Sequence, residues 1–371
     1  MTDAEKYQKA ISDTLKELKD EYQNLSKINI VIAGKTGIGK STLINAAFGQ
    51  KLAETGVGAP VTDKIKLIKA DDFPVRIYDT VGLEMGAVNQ WKSLHAIKDL
   101  IRSKRKTDTE EDDIHCLWYC VNASGSRIEG QELKYIRQFQ KMQIPVILVL
   151  TKSYSHDEAN QLALAAQNQL PGLDVAIVLA KSTDSQAAFG VEELVELTAK
   201  KLPDALQTSF SSAQKASLAL KRKQSVAVVS SSIAATFTTG FVPIPVADAP
   251  LMMATQSTML AKITAIYDVD PSSNKIETAI AGALGIFAAL SAGKTAVSAA
   301  FKAIPGVGTL TGGLISGGVG GAMTGALGYA YMNLMEQVSL GNVDLSTVTP
   351  EQLTEILSAS ITQMTNQRLN K

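Results

Sequence analysis

Cysteine and histidine are scarce in this chain, two and three residues among 371. Cys116 and Cys120 lie four apart in an apolar run, where a strand turns both to one face as small core residues. Neither a disulfide framework nor a thiolate metal site follows, and the histidines show no zinc-ligand spacing. Net charge is lacking too, since 36 basic residues balance 36 acidic ones. No general positive field exists to grip nucleic acid, so no nucleic-acid partner is expected. Nor is there an apolar leader, because residues 1–6 run into a charged amphipathic helix, and the composition suits a cytoplasmic protein. In that helix Ile11, Leu15, Leu18, Tyr22 and Leu25 form a short apolar stripe that needs a partner, either elsewhere in the chain or on a second protomer.

What is present begins at residues 34–41, which read G-K-T-G-I-G-K-S after the apolar run 28–33 and before the helix-like 42–48. Strand, glycine loop, Lys-Ser and helix is the order that binds a triphosphate. The glycines let successive backbone N–H groups approach phosphate oxygens, and the helix N-terminus adds positive charge. The candidate cradle is Gly34, Lys35, Thr36, Gly37, Ile38, Gly39, Lys40, Ser41 and Thr42. Lys40 reaches the β- and γ-phosphates and the Ser41 hydroxyl takes a place on Mg²⁺. A plain strand-to-helix turn explains the glycines but not Lys-Ser at their end.

Further on, a strand-like run from Val75 ends in Asp79-Thr80-Val81-Gly82. An aspartate at a strand end beside the loop holds the magnesium shell through water, and Gly82 offers its N–H to the γ-phosphate and a hinge. Between the two, the Gly/Pro-rich segment 56–62 ends in Thr62. That threonine either ligates Mg²⁺ when a γ-phosphate is present, as a switch, or simply starts a strand.

With these parts in this order, residues 27–203 resemble the Era/Ras-like (TRAFAC-class) P-loop GTPases, most closely the branch whose loop reads G-K-T-G-x-G-K-S-[ST]. The resemblance implies an α/β fold, a Ras-like G domain with a mostly parallel sheet of about six strands. It implies GTP and GDP as ligands, Mg²⁺ held by Ser41, Thr62 and Asp79, and GTP hydrolysis served by Lys40, Thr62 and Gly82. The apolar runs 114–121, 145–152 and 175–181 take the places of the later strands. Thr151 and Lys152 stand in the base-recognition motif, and Ala180 and Lys181 where the family has Ser-Ala-Lys.

Three departures accompany the resemblance. The base motif runs Thr151-Lys152-Ser153-Tyr154, so the guanine-reading aspartate is missing, with Asp157 one turn further on. Leu83 stands where Ras-like enzymes carry the water-orienting glutamine, which implies slow intrinsic hydrolysis. Gly37 stands where potassium-activated relatives carry Asn.

The chain divides by composition into an N-terminal helix at 1–26, the G domain at 27–203 and an all-α, Ala/Gly-rich domain at 204–371. Helices are expected over 209–240 and 251–267, separated by V-P-I-P-x-A-D-x-P, and a capped helix starts at Thr349-Pro-Glu-Gln352. This domain resembles the helical domain of unknown function that follows Era-like GTPase domains. The layout is also similar to the immunity-related GTPases, which act on membranes. Residues 303–335 carry no charge, and Gly313, Gly317, Gly321 and Gly325 recur four apart. Both a buried hairpin and reversible, peripheral membrane contact fit that pattern. A nucleotide-dependent homodimer is the other partner reading left open.

Overall fold

In the computed structural model of the protein the described residues are 25–49, 59–62, 65–70, 73–80, 87–106, 112–125, 127–239, 249–269 and 318–345, with scattered positions within 12–16, 276–284 and 347–359. They fall into two compact units, 25–220 and 221–371 with 1–24.

The first unit is a seven-stranded sheet. Its strands are β1 (Ile28–Ala33), β2 (Ala59–Thr62), β3 (Ile65–Ile68), β4 (Val75–Thr80), β5 (Cys116–Asn122), β6 (Val146–Thr151) and β7 (Asp174–Ile177), in the order β2-β3-β4-β1-β5-β6-β7. From β4 through β7 the pairings are parallel, whereas β2–β3 and β3–β4 are antiparallel. The sheet has one strand more than the resemblance implies. The addition is β2, drawn from the segment that reads as a Gly/Pro loop.

The helices are α1 (Lys40–Phe48), α2 (Ala87–Lys104), α3 (Gly130–Lys141), α4 (His156–Gln169), α5 (Val191–Lys201) and α6 (Asp204–Ala213). β1 and β6 are buried throughout and β5 in all but its last residue, as strands covered on both faces are. One face carries Ile30, Ile32, Val75, Ile77, Cys116, Trp118 and Cys120 under α1, α5 and α6. The other carries Val31, Ala33, Tyr78, Leu117 and Tyr119 under α2, α3 and α4. Cys116 and Cys120 share a face as their spacing predicts, and burial pushes both thiols up to about 12, so they pack rather than react. Phe48 at the end of α1 stacks on Trp118 at 5.8 Å and meets Phe210 of α6 edge-on at 6.1 Å.

One expectation is corrected. The single helix expected over 209–240 is two, α6 and then α7 (Leu218–Thr239). The break is built by Gln214 and Ser217. The Ser217 N–H donates to Gln214 Oε1 (2.7 Å), Gln214 Nε2 donates to the Ser217 carbonyl (2.8 Å), and Ser217 Oγ caps Leu220 N–H (3.0 Å). The basic run 104–106 closes α2: Lys104 ends the helix and pairs with Asp112 at 3.4 Å, and Arg105 and Lys106 follow it exposed in a turn, with Arg105 donating to the Met142 carbonyl.

The helical unit is built around α7 from Lys221 on, α8 (Ala249–Ile266) and α9 (Gly318–Ser339). Every residue of α9 from Thr324 to Met332 is buried. Buried polar pairs fix the α8–α9 register: Thr264 Oγ1 with Tyr331 OH at 2.8 Å, and Gln256 Nε2 donating to Thr324 Oγ1 at 3.2 Å. A Cβ on Gly328 would come within 2.7 Å of Val229 and 2.9 Å of Met259 Sδ, so this glycine permits the close approach of the three helices. Of the four-spaced glycines, Gly321 and Gly325 lie in α9, while Gly313 and Gly317 fall outside the described residues. The capping box at Thr349 and Gln352 forms reciprocally, as its sequence predicts.

Lys221 is 2% exposed and donates to the Ile266 carbonyl at the C-terminus of α8 (2.6 Å). A cation there satisfies a terminal carbonyl and opposes the negative end of the helix dipole. Lys221→Ala is expected to destabilise the helical unit by about 2 kcal/mol, read as an earlier urea-unfolding transition of the full chain.

Candidate functional site

β1 is flanked by β4 on one side and β5 on the other, and the chain leaves these three strands in opposite directions across the sheet. Such a reversal opens a crevice at the carboxyl ends of the strands. The phosphate-loop residues, Asp79, Thr151 and the turn after β7 all lie at those ends.

The loop 34–41 runs from β1 into α1. Gly34 has φ +150° and a Cβ there would sit 2.3 Å from Ile38 Cδ1 and 2.6 Å from the Cys120 carbonyl oxygen, so the loop passes β5 at a distance only glycine allows. Gly39 caps α1 in the left-handed region with φ +100°. The α1 N-terminus has no acidic residue in its first turn and no side-chain cap, leaving its amides for an acceptor from outside the helix. Lys40 is nearly buried, and its Nζ donates to the carbonyls of Gly34 (3.0 Å) and Lys35 (3.2 Å), which holds the ammonium over the loop. Ser41 and Thr42 are exposed at the start of the helix.

Lys35 turns the other way. Its Nζ pairs with Glu129 at 2.6 Å and Glu132 at 3.6 Å, the two residues of the capping box that starts α3. Burial lowers the Lys35 pKa, but the Glu129 hydrogen bond and the Glu132 and Glu129 charges outweigh it and leave it raised. The sequence signal for this brace is Glu129-x-x-Glu132 ahead of a helix, which sequence reasoning passed over.

Asp79 pairs in register with Ile32, two residues before the loop. Its Oδ1 is buried with no hydrogen-bond partner. Burial raises its pKa, against the pull of the Lys40 and Lys66 charges. An orphaned carboxylate oxygen beside a lysine-bearing phosphate loop fits the outer shell of a hard divalent cation, and exposed Ser41 offers the hydroxyl. Thr62 ends β2, exposed and in register with Ile65. Gly82 and Leu83 lie outside the described residues.

The base-recognition segment is tied directly to the loop. Thr151 Oγ1, buried, bonds to the carbonyls of Ile38 (2.8 Å) and Val121 (3.1 Å), and Lys152 Nζ donates to the Gly37 carbonyl (2.7 Å). Lys152 adopts φ +54°, and Ser124 Oγ at the end of β5 holds its carbonyl at 2.9 Å. Ser124 was not among the residues singled out by sequence. Ser153 is fully buried, with its N–H on the Val178 carbonyl and its Oγ on the Leu150 carbonyl. That anchor leaves Tyr154, 54% exposed, where the family's aspartate stands. Ala180 packs half-buried on the core under α1 and Lys181 is exposed. Their turn is closed by paired backbone bonds between Leu179 and Phe189, and Phe189 stacks on His156 at 4.2 Å, joining it to the start of α4. Asp157 lies exposed in the first turn of α4.

Residues 29–152 match the family described as 50S ribosome-binding GTPase, and residues 205–358 match a domain of unknown function (DUF697). The chain is similar to GTPase Der of Bartonella tribocorum, 31% identical over 130 residues that make up 34% of this chain and 26% of that protein. It is also similar to GTPase Era of Clostridium kluyveri, 27% identical over 178 residues, 47% of this chain and 56% of that one. The chain therefore spans 26% of the length of the one relative and 56% of the other. Among solved structures, an Aquifex aeolicus Era variant bound to GDP·AlF4⁻ is similar at 18% identity and a TM-score of 0.35, covering 48% of this chain and 58% of that one. The glycine loop with its lysine, the strand ends gathered around it and the two family matches agree: residues 29–152 form a P-loop GTPase domain of the Era/Ras-like kind, and a DUF697 domain follows it at 205–358.

Proposed function

We propose that this protein is a GTP-binding switch that hydrolyses GTP slowly and transmits the state of its G domain to the helical domain behind it. The observation that carries the reading is the unpartnered Asp79 oxygen beside the loop that presents Lys40. The amides of residues 34–42 receive the phosphates, Lys40 moves its donors from the loop carbonyls to β- and γ-oxygens, and Lys152 lays its methylenes along the base. Ala180 N–H meets the guanine oxygen, and Lys181 borders that turn. Ser41, Thr62 and Asp79 are the residues that would hold Mg²⁺, which supplies charge neutralisation at the bridging oxygens when bound. The segments bearing Thr62 and Gly82 hold the γ-phosphate and are released when it is lost.

Slow turnover rests on Leu83, whose side chain has no group to orient water. Leu83→Gln is expected to raise the single-turnover GTP hydrolysis rate about tenfold, measured by quench-flow on the full chain. An unchanged rate would mean that another group already positions the water, and slow turnover would lose its basis.

The second reading, a membrane-associated protein whose GTP binding controls assembly, draws on the charge-free stretch 303–335. Where that stretch is described, in α9, its side chains are buried in the helical unit, and no described helix is long and apolar enough to cross a membrane. The burial of α9 supports the first reading, a switch whose helical domain meets a protein partner or a second protomer. Flotation with liposomes, with and without a nonhydrolysable GTP analogue, separates the two. Recovery in the floated fraction only with the analogue would replace the first reading by the second.

A further inference from the structure

Lys66 on β3 stands directly opposite Asp79 on β4 in an antiparallel pair. Opposed residues project to the same face with Cβ atoms about 5 Å apart, a separation that a four-carbon stem is long enough to span. Their neighbours identify the face. Val75 and Ile77, at even steps from Asp79, and Ile68, two residues from Lys66, all belong to the core beneath α1. That is the face of the helix that the phosphate loop opens into. On it the Asp79 carboxyl lies under the charge of two lysines, Lys40 from the loop and Lys66 from the sheet. Asp79 Oδ1 is buried and unpartnered, while Lys66 is exposed. Sequence alone does not pair these residues, because a turn and the whole of the next strand's approach separate them.

We propose that Lys66 is a resident cation on the metal side of the nucleotide site, a positioning residue that shares Asp79 with Mg²⁺ and supplies part of its charge toward the triphosphate. The inference rests on reading the site as one for a magnesium nucleotide. An ammonium carried on the strand position opposite Asp79 attracts the phosphates when the metal is absent and repels the metal when it arrives. Both effects make nucleotide binding less dependent on Mg²⁺ than Asp79 alone would make it.

The test measures GTP dissociation constants of the full chain by calorimetry, at saturating Mg²⁺ and in EDTA. In Lys66→Gln the ratio of the metal-free to the metal-loaded constant is expected to rise about three- to tenfold, with half-saturating Mg²⁺ falling in step. Lys66→Arg keeps the charge and should keep the wild-type ratio. Because Lys66 is exposed, both variants fold, which a melting curve verifies. A Lys66→Gln ratio within about twofold of wild type, or below it, overturns the proposal. Wild-type protein that binds no GTP under either condition ends the nucleotide reading itself, and the role of Lys66 with it.

Discussion

Lys40→Ala is expected to weaken GTP binding about a thousandfold, roughly 4 kcal/mol, while leaving the sheet intact. The lysine is nearly buried and its ammonium is held by the Gly34 and Lys35 carbonyls, at the mouth of a loop whose remaining donors are neutral amides. A triphosphate entering that loop loses its strongest desolvated partner when Lys40 is truncated. The core beneath it should survive, because α1 is fastened through Leu43, Ile44, Ala47 and Phe48 rather than through Lys40. Equilibrium binding of a fluorescent GTP analogue, with near-ultraviolet dichroism as the folding control, checks both halves. Tight binding by the Lys40→Ala protein would remove the loop from the account.

The second large effect concerns the base. Tyr154→Asp is expected to raise the preference for GTP over ATP about fiftyfold, mostly by tightening GTP. A carboxylate accepts two hydrogen bonds from the guanine edge, whereas a phenol offers one oxygen and no charge. The backbone needs no rearrangement to present it. Ser153 is bound on both sides to the ends of β6 and β7, and Thr151 and Lys152 are bonded to the phosphate loop, so residue 154 is held at a set distance from the phosphates. The wild-type chain is correspondingly expected to discriminate weakly between the two purines. Competition of ATP against bound GTP, in wild type and variant, reads the change. An unaltered ratio would show that a different acid, with Asp157 the nearest along the chain, already reads the base.

What the sequence made legible follows the range of the forces involved. β1, the glycine loop and α1 are local patterns, an apolar run, a set of left-handed glycines and a helix start, and each reads from adjacent residues. The shared face of Cys116 and Cys120 follows from the period of a strand, and the Thr349–Gln352 cap from a four-residue motif. The break at 214–217 was hidden because Gln214 and Ser217 suit a helix by composition, and only their mutual hydrogen bonds end it. α6 reads as the start of the helical domain, yet Leu206, Phe210 and Ala213 pack into the core of the sheet unit. That choice depends on Phe48 and Trp118, far away in the chain. Lys66 opposite Asp79 and Lys35 on Glu129 likewise depend on register and helix placement, which no local pattern encodes.

The central claim is that the amides of residues 34–42, with Lys40, receive a guanosine triphosphate. Calorimetric titration of the full-length wild-type protein with GTP in the presence of Mg²⁺ tests it most directly. The account predicts saturable one-to-one binding that Lys40→Ala weakens about a thousandfold. Absence of saturable binding by folded protein to GTP, GDP and ATP alike would contradict it.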